Sequence, residues 1–474
     1  MIENCKILLD KINEKRCCLI SGIAGTGKST LLKELVKELK QIVKKEEIHV
    51  VAPTGVACVN IGNAKTIHNW LGLKLADKPA GYYRERLYSG SYTTTITNLK
   101  TTSILIIDEI SMITPHMFNL IDHLAKYVRK SSEPFGGITV IMFGDFCQLE
   151  PINKEESEVK YVFQTKTWEK MNIYRVWLRK IWRQLNDDKY KDILNRIREG
   201  KMNMNDVLTL RSKVTYKFKE HEIKQDGFGN VLITPPLITT HRAKVADSNK
   251  KNLLNVSEKF NSSIAKIRPN VITKYTKSYK AQNLPTTRYS DEQLQNMFPV
   301  YNVVLCEKAQ VMMRCNEYIS DGICNGTIGI VDQITPQGEI FVRFQVGGIL
   351  MPPMMVPKHK FKMKINGGYL ELEQFPLSLS YAISSHKAQG ISLDMAVVDL
   401  RGVFCNAQAY VILSRIRSLD GLTIRGSFDT RKFKTCPEAL KFETDTELIQ
   451  IHSEVTKYMI KDLTNIVLKY LEYA

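Results

Sequence analysis

The chain has 474 residues, with 67 Lys and Arg against 49 Asp and Glu, a net charge of +18. That length allows roughly two to four domains, and 43% apolar residues is ample for large cores. No run approaches the roughly 18 apolar residues that span a bilayer, so no transmembrane helix and no membrane partner are expected. Such a basic excess points to a polyanion, with nucleic acid ahead of an anionic membrane surface. The start, Met1-Ile2-Glu3-Asn4-Cys5-Lys6, lacks the charged-then-apolar order of a secretory signal. The 10 cysteines include no CxxC pair. They read as free thiols in a reducing compartment, nuclear or cytoplasmic, and not as a disulfide framework or zinc site.

Residues 1–16 carry a helical pattern (Ile2, Leu8, Leu9, Ile12), and Cys17-Cys18-Leu19-Ile20 reads as a buried strand. Gly22-Ile23-Ala24-Gly25-Thr26-Gly27-Lys28-Ser29-Thr30 follows, and a helix from Leu31 to Val43 comes next. Strand, Gly-rich turn, Gly-Lys-Ser and helix form a phosphate-binding loop in its required context. Glycines let backbone N–H groups converge on phosphate oxygens, and the helix start adds its positive dipole end. Lys28 can reach the β and γ phosphates of ATP, and the Ser29 hydroxyl can hold Mg²⁺. A second strand, Ile48 to Ala52, runs into Pro53-Thr54-Gly55-Val56-Ala57, and Thr66-Ile67-His68 lies beyond it.

Residues 71–100 form a polar insertion in which Lys74, Lys78, Arg84 and Arg86 alternate with Tyr82, Tyr83, Tyr88 and Tyr92. Two readings stay open: a stacking platform for single strands, or a solvated surface hairpin. Ser103 to Ile107 is a third strand, ending at Asp108-Glu109. After a phosphate loop, two carboxylates at a strand end make the second half of a nucleotide site. Asp108 would hold Mg²⁺ through water, and Glu109 would deprotonate the attacking water. A helix over 115–130 opens at Pro115, and Ile138 to Phe143 is a fourth strand that leads to Gln148. Strand–helix alternation predicts an α/β fold with a parallel sheet, and ligands gather at its carboxyl edge.

The stretch around 186–200 reads as a charged linker helix, and Val231-Leu232-Ile233 as a new strand. Between His241 and Lys280 basic residues far outnumber acidic ones, which suits either a solvated face or a phosphate track. From Val303 to Gln374, short alternating segments between Gly and Pro turns suggest an inserted β-barrel or sheet. The α/β texture returns from Leu377, with a strand over Met395 to Leu400 and a helix starting at Ala407. The tail, about 443–472, reads as an amphipathic helix packed on the body.

In this order the motifs resemble those of the superfamily-1 helicases of the petite-integration-frequency (PIF) family, related to the RecD helicases. The matching residues are Gly22 to Thr30, Ala52 to Ala57, Thr66-Ile67-His68, Asp108-Glu109-Ile110-Ser111-Met112, Pro134-Phe135-Gly136-Gly137 and Gly144-Asp145-Phe146 with Gln148-Leu149. They continue with Arg183-Gln184, Asn325-Gly326-Thr327, His386-Lys387-Ala388-Gln389-Gly390 and Ala409-Tyr410-Val411 with Leu413-Ser414-Arg415. The resemblance implies two RecA-like P-loop domains that bind ATP between them. Domain 1A would cover 1–185, with a wedge insertion at about 71–100. Domain 2A would cover 186–300 and 375–474, with an SH3-like β-barrel at 301–374.

It further implies an ATP-driven, Mg²⁺-dependent helicase moving 5′ to 3′ on single-stranded DNA and opening forks or structured DNA in replication, repair or recombination. The chain is expected to be a monomer when free. Arg183 and Arg415 would bring charge to the γ-phosphate, Gln148 would sense it, and Gly390 would join the nucleotide site. Pro53, Thr54, Gly55, Thr66, His68, His386 and Lys387 would contact the strand. Cys5 falls where the family carries an adenine-reading Gln, so other NTPs are admitted. Glu150 stands where a Pro is usual, and Ala407 where a Gly is usual. A nucleotide-switched binding protein without unwinding and an RNA helicase are the alternatives. A P-loop kinase of a small molecule leaves the charge and the C-terminal blocks unexplained.

Overall fold

The computed structural model describes residues 17–451, except 43, 45–46, 55–56, 59–60, 62–63, 74–75, 89–91, 152–158, 217–230, 276–283, 286–289, 299, 316, 319–320, 324, 347–348, 366–367, 389–390 and 445–448. The expected helix at 1–16, Cys5, and the tail beyond 451 lie outside the described residues.

The first half is built on a seven-stranded sheet whose strands all run parallel. Its order is Ile449–Ile451, Tyr174–Leu178, Cys17–Gly22, Thr139–Gly144, Ile104–Ile107, Ile48–Ala52 and Lys65–Thr66. Its central strands are buried along nearly their whole length and mostly apolar because helices cover both faces. Leu19, Leu105, Ile107, Val140 and Met142 face one core. Ile20, Ile104, Ile106, Ile141 and Phe143 face the other. The helix Lys28–Ile42 closes the second core with Leu31, Leu32, Leu35, Val36 and Leu39, one stripe at helical spacing. Leu32 is fully buried there, so Leu32→Ala would cost about 2–5 kcal/mol.

The helix Pro115–Arg129 closes the first core. Thr114 caps it by accepting from Met117 N–H at 3.2 Å, and Lys130 ends it in the left-handed region. Among the described residues of the insertion at 71–100 there is no strand and no β-hairpin. Its described part forms two helices, Ala80–Arg86 and Thr93–Thr101. Tyr83, Leu87 and Leu99 bury against the same core as Trp70 and Ile121. Arg84, Arg86, Tyr82 and Tyr88 stay exposed.

The second half carries a five-stranded parallel sheet in the order Ala382–Ser384, Leu237–Thr239, Ala396–Val398, Leu422–Arg425 and Val214–Thr215. The strand entering it is Leu237–Thr239. Of the expected strand at 231–233, only Val231 makes an isolated bridge. Two parallel sheets of this kind are the expected pair of RecA-like domains. No described helix is long and apolar enough to cross a membrane.

Antiparallel strands form the inserted β module, and its limits are wider than 301–374. Asn270–Tyr275 pairs with Gly368–Gln374, Ala265–Ile267 with Val303–Leu305, and Leu377–Leu379 with Gln310–Met313. One core holds it together, including Val311, Val342, Phe344, Phe361 and Leu372.

The C-terminal segment corrects the expected layout. Helix Pro437–Thr444 packs Ala439 and Phe442 into the first-half core. Ile449–Ile451, read as part of a tail helix, is instead a strand on the edge of the first sheet. The rings of Phe163 and Phe442 stack at 4.2 Å, and Arg175 lies 3.9 Å over the Phe442 ring. Burial of this apolar surface brings the chain back across the molecule.

Candidate active site

The phosphate loop leaves the strand Cys17–Gly22 and enters the helix at Lys28. Gly25 has φ +86°, and a Cβ there would lie 2.7 Å from Arg183 Cβ, so only glycine lets the two segments touch. Trp182 N–H donates to the Gly25 carbonyl at 2.8 Å. Thr26 is buried and its hydroxyl donates to the Ile23 carbonyl. The Lys28 ammonium lies inside the loop and donates to the Gly22 and Ile23 carbonyls, the latter at 3.0 Å. Burial pushes its pKa down, opposed by the carboxylates of Asp145, Glu109 and Asp108. Ser29 and Thr30 stand exposed at the helix start.

Two neighbouring strands deliver the carboxylates. Asp108 follows Ile104–Ile107 and is buried, and its N–H donates to the Val51 carbonyl. Burial, then the adjacent Glu109, raises its pKa to about 7. Glu109 is left-handed at φ 51°, a strained setting for a non-glycine residue, and it turns toward the cleft. Gly144 ends the next strand, and a Cβ there would lie 2.8 Å from Ile110 Cγ2, crowding the turn that aims Glu109. Gln148 is buried beside them and donates to Asp145 Oδ2 at 3.1 Å.

Both halves line one cleft of about 670 Å³. The first half supplies Ala24 to Thr30, Glu109, Gln148, Trp182 and Arg183, and the second supplies Ser392, Arg415 and Arg417. Arg183 reaches across it, with Nε donating to Ser392 Oγ at 2.7 Å and Nη1 to the Ser414 carbonyl at 3.0 Å. Burial, then the charge of Arg415, lowers its pKa to about 9. Arg415 is buried; Nε donates to the Val411 carbonyl and Nη2 to Ser414 Oγ, each at 2.8 Å. Ala24 N–H, within the phosphate loop, donates to Tyr410 Oη of the second half at 3.0 Å. Four basic side chains, Lys28, Arg183, Arg415 and Arg417, and a loop of N–H donors therefore face one space, an arrangement that selects a polyanion.

A family model described as PIF1-like helicase matches residues 4–207. The ATP-dependent DNA helicase PIF1 of Danio rerio is 32% identical over 92% of this chain and 62% of its own length. Bacteroides Pif1 solved with ADP-AlF4 is 26% identical, covers 94% of this chain and 96% of its own, and superposes with TM-score 0.73. The same bacterial Pif1 bound to single-stranded DNA is 27% identical over the same shares, with TM-score 0.58. The family-model match falls in the first part of the chain, and nearly the whole chain is similar to helicases of that name. The chain spans about three-fifths of the length of the Danio rerio relative.

The positions expected from the resemblance to contact a strand gather partly at one edge. Ala52 pairs with Thr66, so Pro53 and Thr54 leave the sheet beside Thr66. Thr54 is exposed, and its Oγ1 accepts from Ala57 N–H. Thr66 caps the helix Ile67–Leu71 by accepting from Asn69 N–H at 3.3 Å, and His68 sits half-buried on that helix. His386 and Lys387 lie on the short helix Ser385–Ala388 of the second half. Gly55 and Gly390 lie outside the described residues. Glu150, at the family's proline position, pairs with Lys160 at 2.7 Å and accepts from Asn406 Nδ2 at 2.7 Å, bridging the halves.

Sequence reading missed three contributors. Arg198 and Asp145 form a buried pair at 2.7 Å behind Gln148. Tyr410 was read within a motif but not as a partner of the phosphate loop. Arg198 looked like one charge among many on a linker helix. The signal was its neighbours: Tyr190, Ile193, Leu194 and Ile197 mark a buried face, and Arg198 adjoins it.

Proposed function

We propose that the chain is an ATP-dependent DNA helicase that moves 5′ to 3′ on single-stranded DNA and unwinds duplex, forked or structured DNA. The reading rests on one observation: Lys28, Glu109, Gln148 and Arg183 of one half share a cleft with Arg415 of the other. Relatives named ATP-dependent DNA helicases, and a bacterial relative solved with ADP-AlF4 and with single-stranded DNA, support it.

The donor set fits a nucleoside triphosphate with Mg²⁺. Loop N–H groups and Lys28 would hold phosphate oxygens, while the exposed Ser29 hydroxyl and the buried Asp108 carboxylate would hold the ion. Mg²⁺, when bound, would supply positive charge to offset that of the phosphates. Glu109 accepts the proton of the attacking water, and Gln148 orients that water. Arg183 and Arg415 neutralise charge on the departing phosphate, and such arginines are worth about 10³–10⁵ in rate. Because these groups come from both halves, turnover changes how the halves sit, and a strand held by Thr54, Thr66, His68, His386 and Lys387 is moved along. Replication, repair or recombination is the setting for such a motor.

Duplexes with 5′, 3′ or RNA tails test the proposal. ATP-dependent opening of the 5′-tailed DNA alone is expected, and Lys28→Ala should abolish it while strand binding persists. Opening of the 3′-tailed duplex would overturn the polarity, and preference for the RNA tail would overturn the substrate.

A further inference from the structure

In the β module, strand Gln310–Met313 leads into a loop carrying Cys315 and Glu317, and His359 opens the strand His359–Ile365. One ligand atom from each of Cys315, Glu317 and His359 falls within 4.8 Å of the other two. His359 Nδ1 is 3.0 Å from Glu317 Oε1. Cys315 is buried, His359 is half-buried and Glu317 is exposed, so the trio runs from the core to solvent and leaves an entry path. The Cys315 thiol donates only weakly, to Met313 Sδ at 3.5 Å.

We propose that Cys315, Glu317 and His359 bind one zinc ion, with the fourth position open to water. A thiolate, an imidazole and a carboxylate make a zinc donor set, whereas Mg²⁺ and Ca²⁺ take oxygen ligands. Zinc bonds of about 2.0–2.3 Å put tetrahedral ligands roughly 3.5 Å apart, so the trio, within 4.8 Å of one another, needs shifts of about an ångström at most. The exposed Glu317 side chain has room to do so. Binding releases the Cys315 thiol proton to solvent and takes His359 as the neutral imidazole. The ion would tie the loop after Met313 to the His359 strand. Gly326, at the far end of that loop, packs against the Ser392 carbonyl, where a Cβ would come within 2.9 Å. The site is separate from the nucleotide cleft and from the Mg²⁺ position, and its spacing, Cys-x-Glu with a distant His, forms no familiar sequence motif.

The full chain without a histidine tag, stripped by chelator, is titrated with Co²⁺ as a spectroscopic probe and then with Zn²⁺. One equivalent should give thiolate-to-cobalt charge-transfer absorption that Zn²⁺ displaces. Cys315→Ser should lose that band. His359→Gln should keep the far-ultraviolet circular dichroism yet weaken binding by more than the roughly 10–100-fold cost of losing an outer-shell partner. No such band in the wild type, a band surviving in Cys315→Ser, or unchanged affinity in His359→Gln would reduce the trio to a His–Glu pair beside a buried thiol. Should Cys315→Ser not fold, His359→Gln decides.

Discussion

Ala407 precedes the helix that carries Tyr410 and leads to Arg415, and its φ is 58°. A left-handed residue with a Cβ costs about 1–2 kcal/mol, and glycine there would cost about 0.5–1 kcal/mol in chain entropy. Ala407→Gly should therefore stabilise the chain by about 0.5–1 kcal/mol in urea denaturation. The sequence exposed the substitution but not the angle that makes it matter. Asp108 gives a second expectation. With its pKa raised to about 7, a proton competes there with a cation. Mg²⁺-dependent nucleotide affinity should fall as pH drops below about 7, and Asp108→Asn should lose that component. Paired calorimetric titrations of the two proteins separate it from the nucleotide's own titration.

At the scale of elements, the phosphate loop and the strands ending at Ala52, Ile107 and Gly144 are legible because their signals are local: apolar runs, turn glycines and helical spacing. Contacts made across the chain were not. Arg183 and Ser392 are 209 residues apart, and Arg175 meets Phe442 over 267. The 71–100 insertion hid two helices because their buried positions mix apolar Tyr83 and Leu99 with polar Thr95 and Asn98, which sets no apolar period. Ile449 and Ile451 suited a helix stripe and an edge strand equally, and the open edge at Tyr174–Leu178 decided between them.

The C-terminal helix brings a buried acid to the first sheet. Glu443 accepts from Ser21 Oγ and Phe146 N–H, and burial, then Asp145, raises its pKa to about 7. A raised carboxyl holds a proton in the folded chain that the unfolded chain has released. Ligand-free stability should therefore decline as pH rises from the ordinary 4.5 toward about 7, by about 1.4 kcal/mol per pH unit for each such proton. Asp145, Asp206 and Asp399 are shifted down and act only below that window. Glu443→Gln should flatten the slope of urea midpoints against pH, leaving the part due to Asp108.

For the whole molecule, two parallel sheets meet along a seam of hydrogen bonds. Ala24 to Tyr410, Arg183 to Ser392 and Ser414, and Glu150 to Asn406 all cross it. Ala24 and Leu149 of the first half bury in the second-half core, so apolar contact joins the halves as well as hydrogen bonds. With a net charge of +18, strand affinity should fall steeply with salt through counterion release. A filter-binding series in rising NaCl measures that slope, and a flat response would count against a phosphate-tracking groove.

Steady-state ATP hydrolysis by the wild type and by Arg415→Ala, each with and without single-stranded DNA, bears on the shared cleft most directly. The predicted result is turnover that rises with DNA in the wild type and drops by about 10³ or more in the variant, with nucleotide still bound. Turnover indifferent to DNA, or an Arg415→Ala chain as fast as the wild type, would contradict a motor driven from between its two halves.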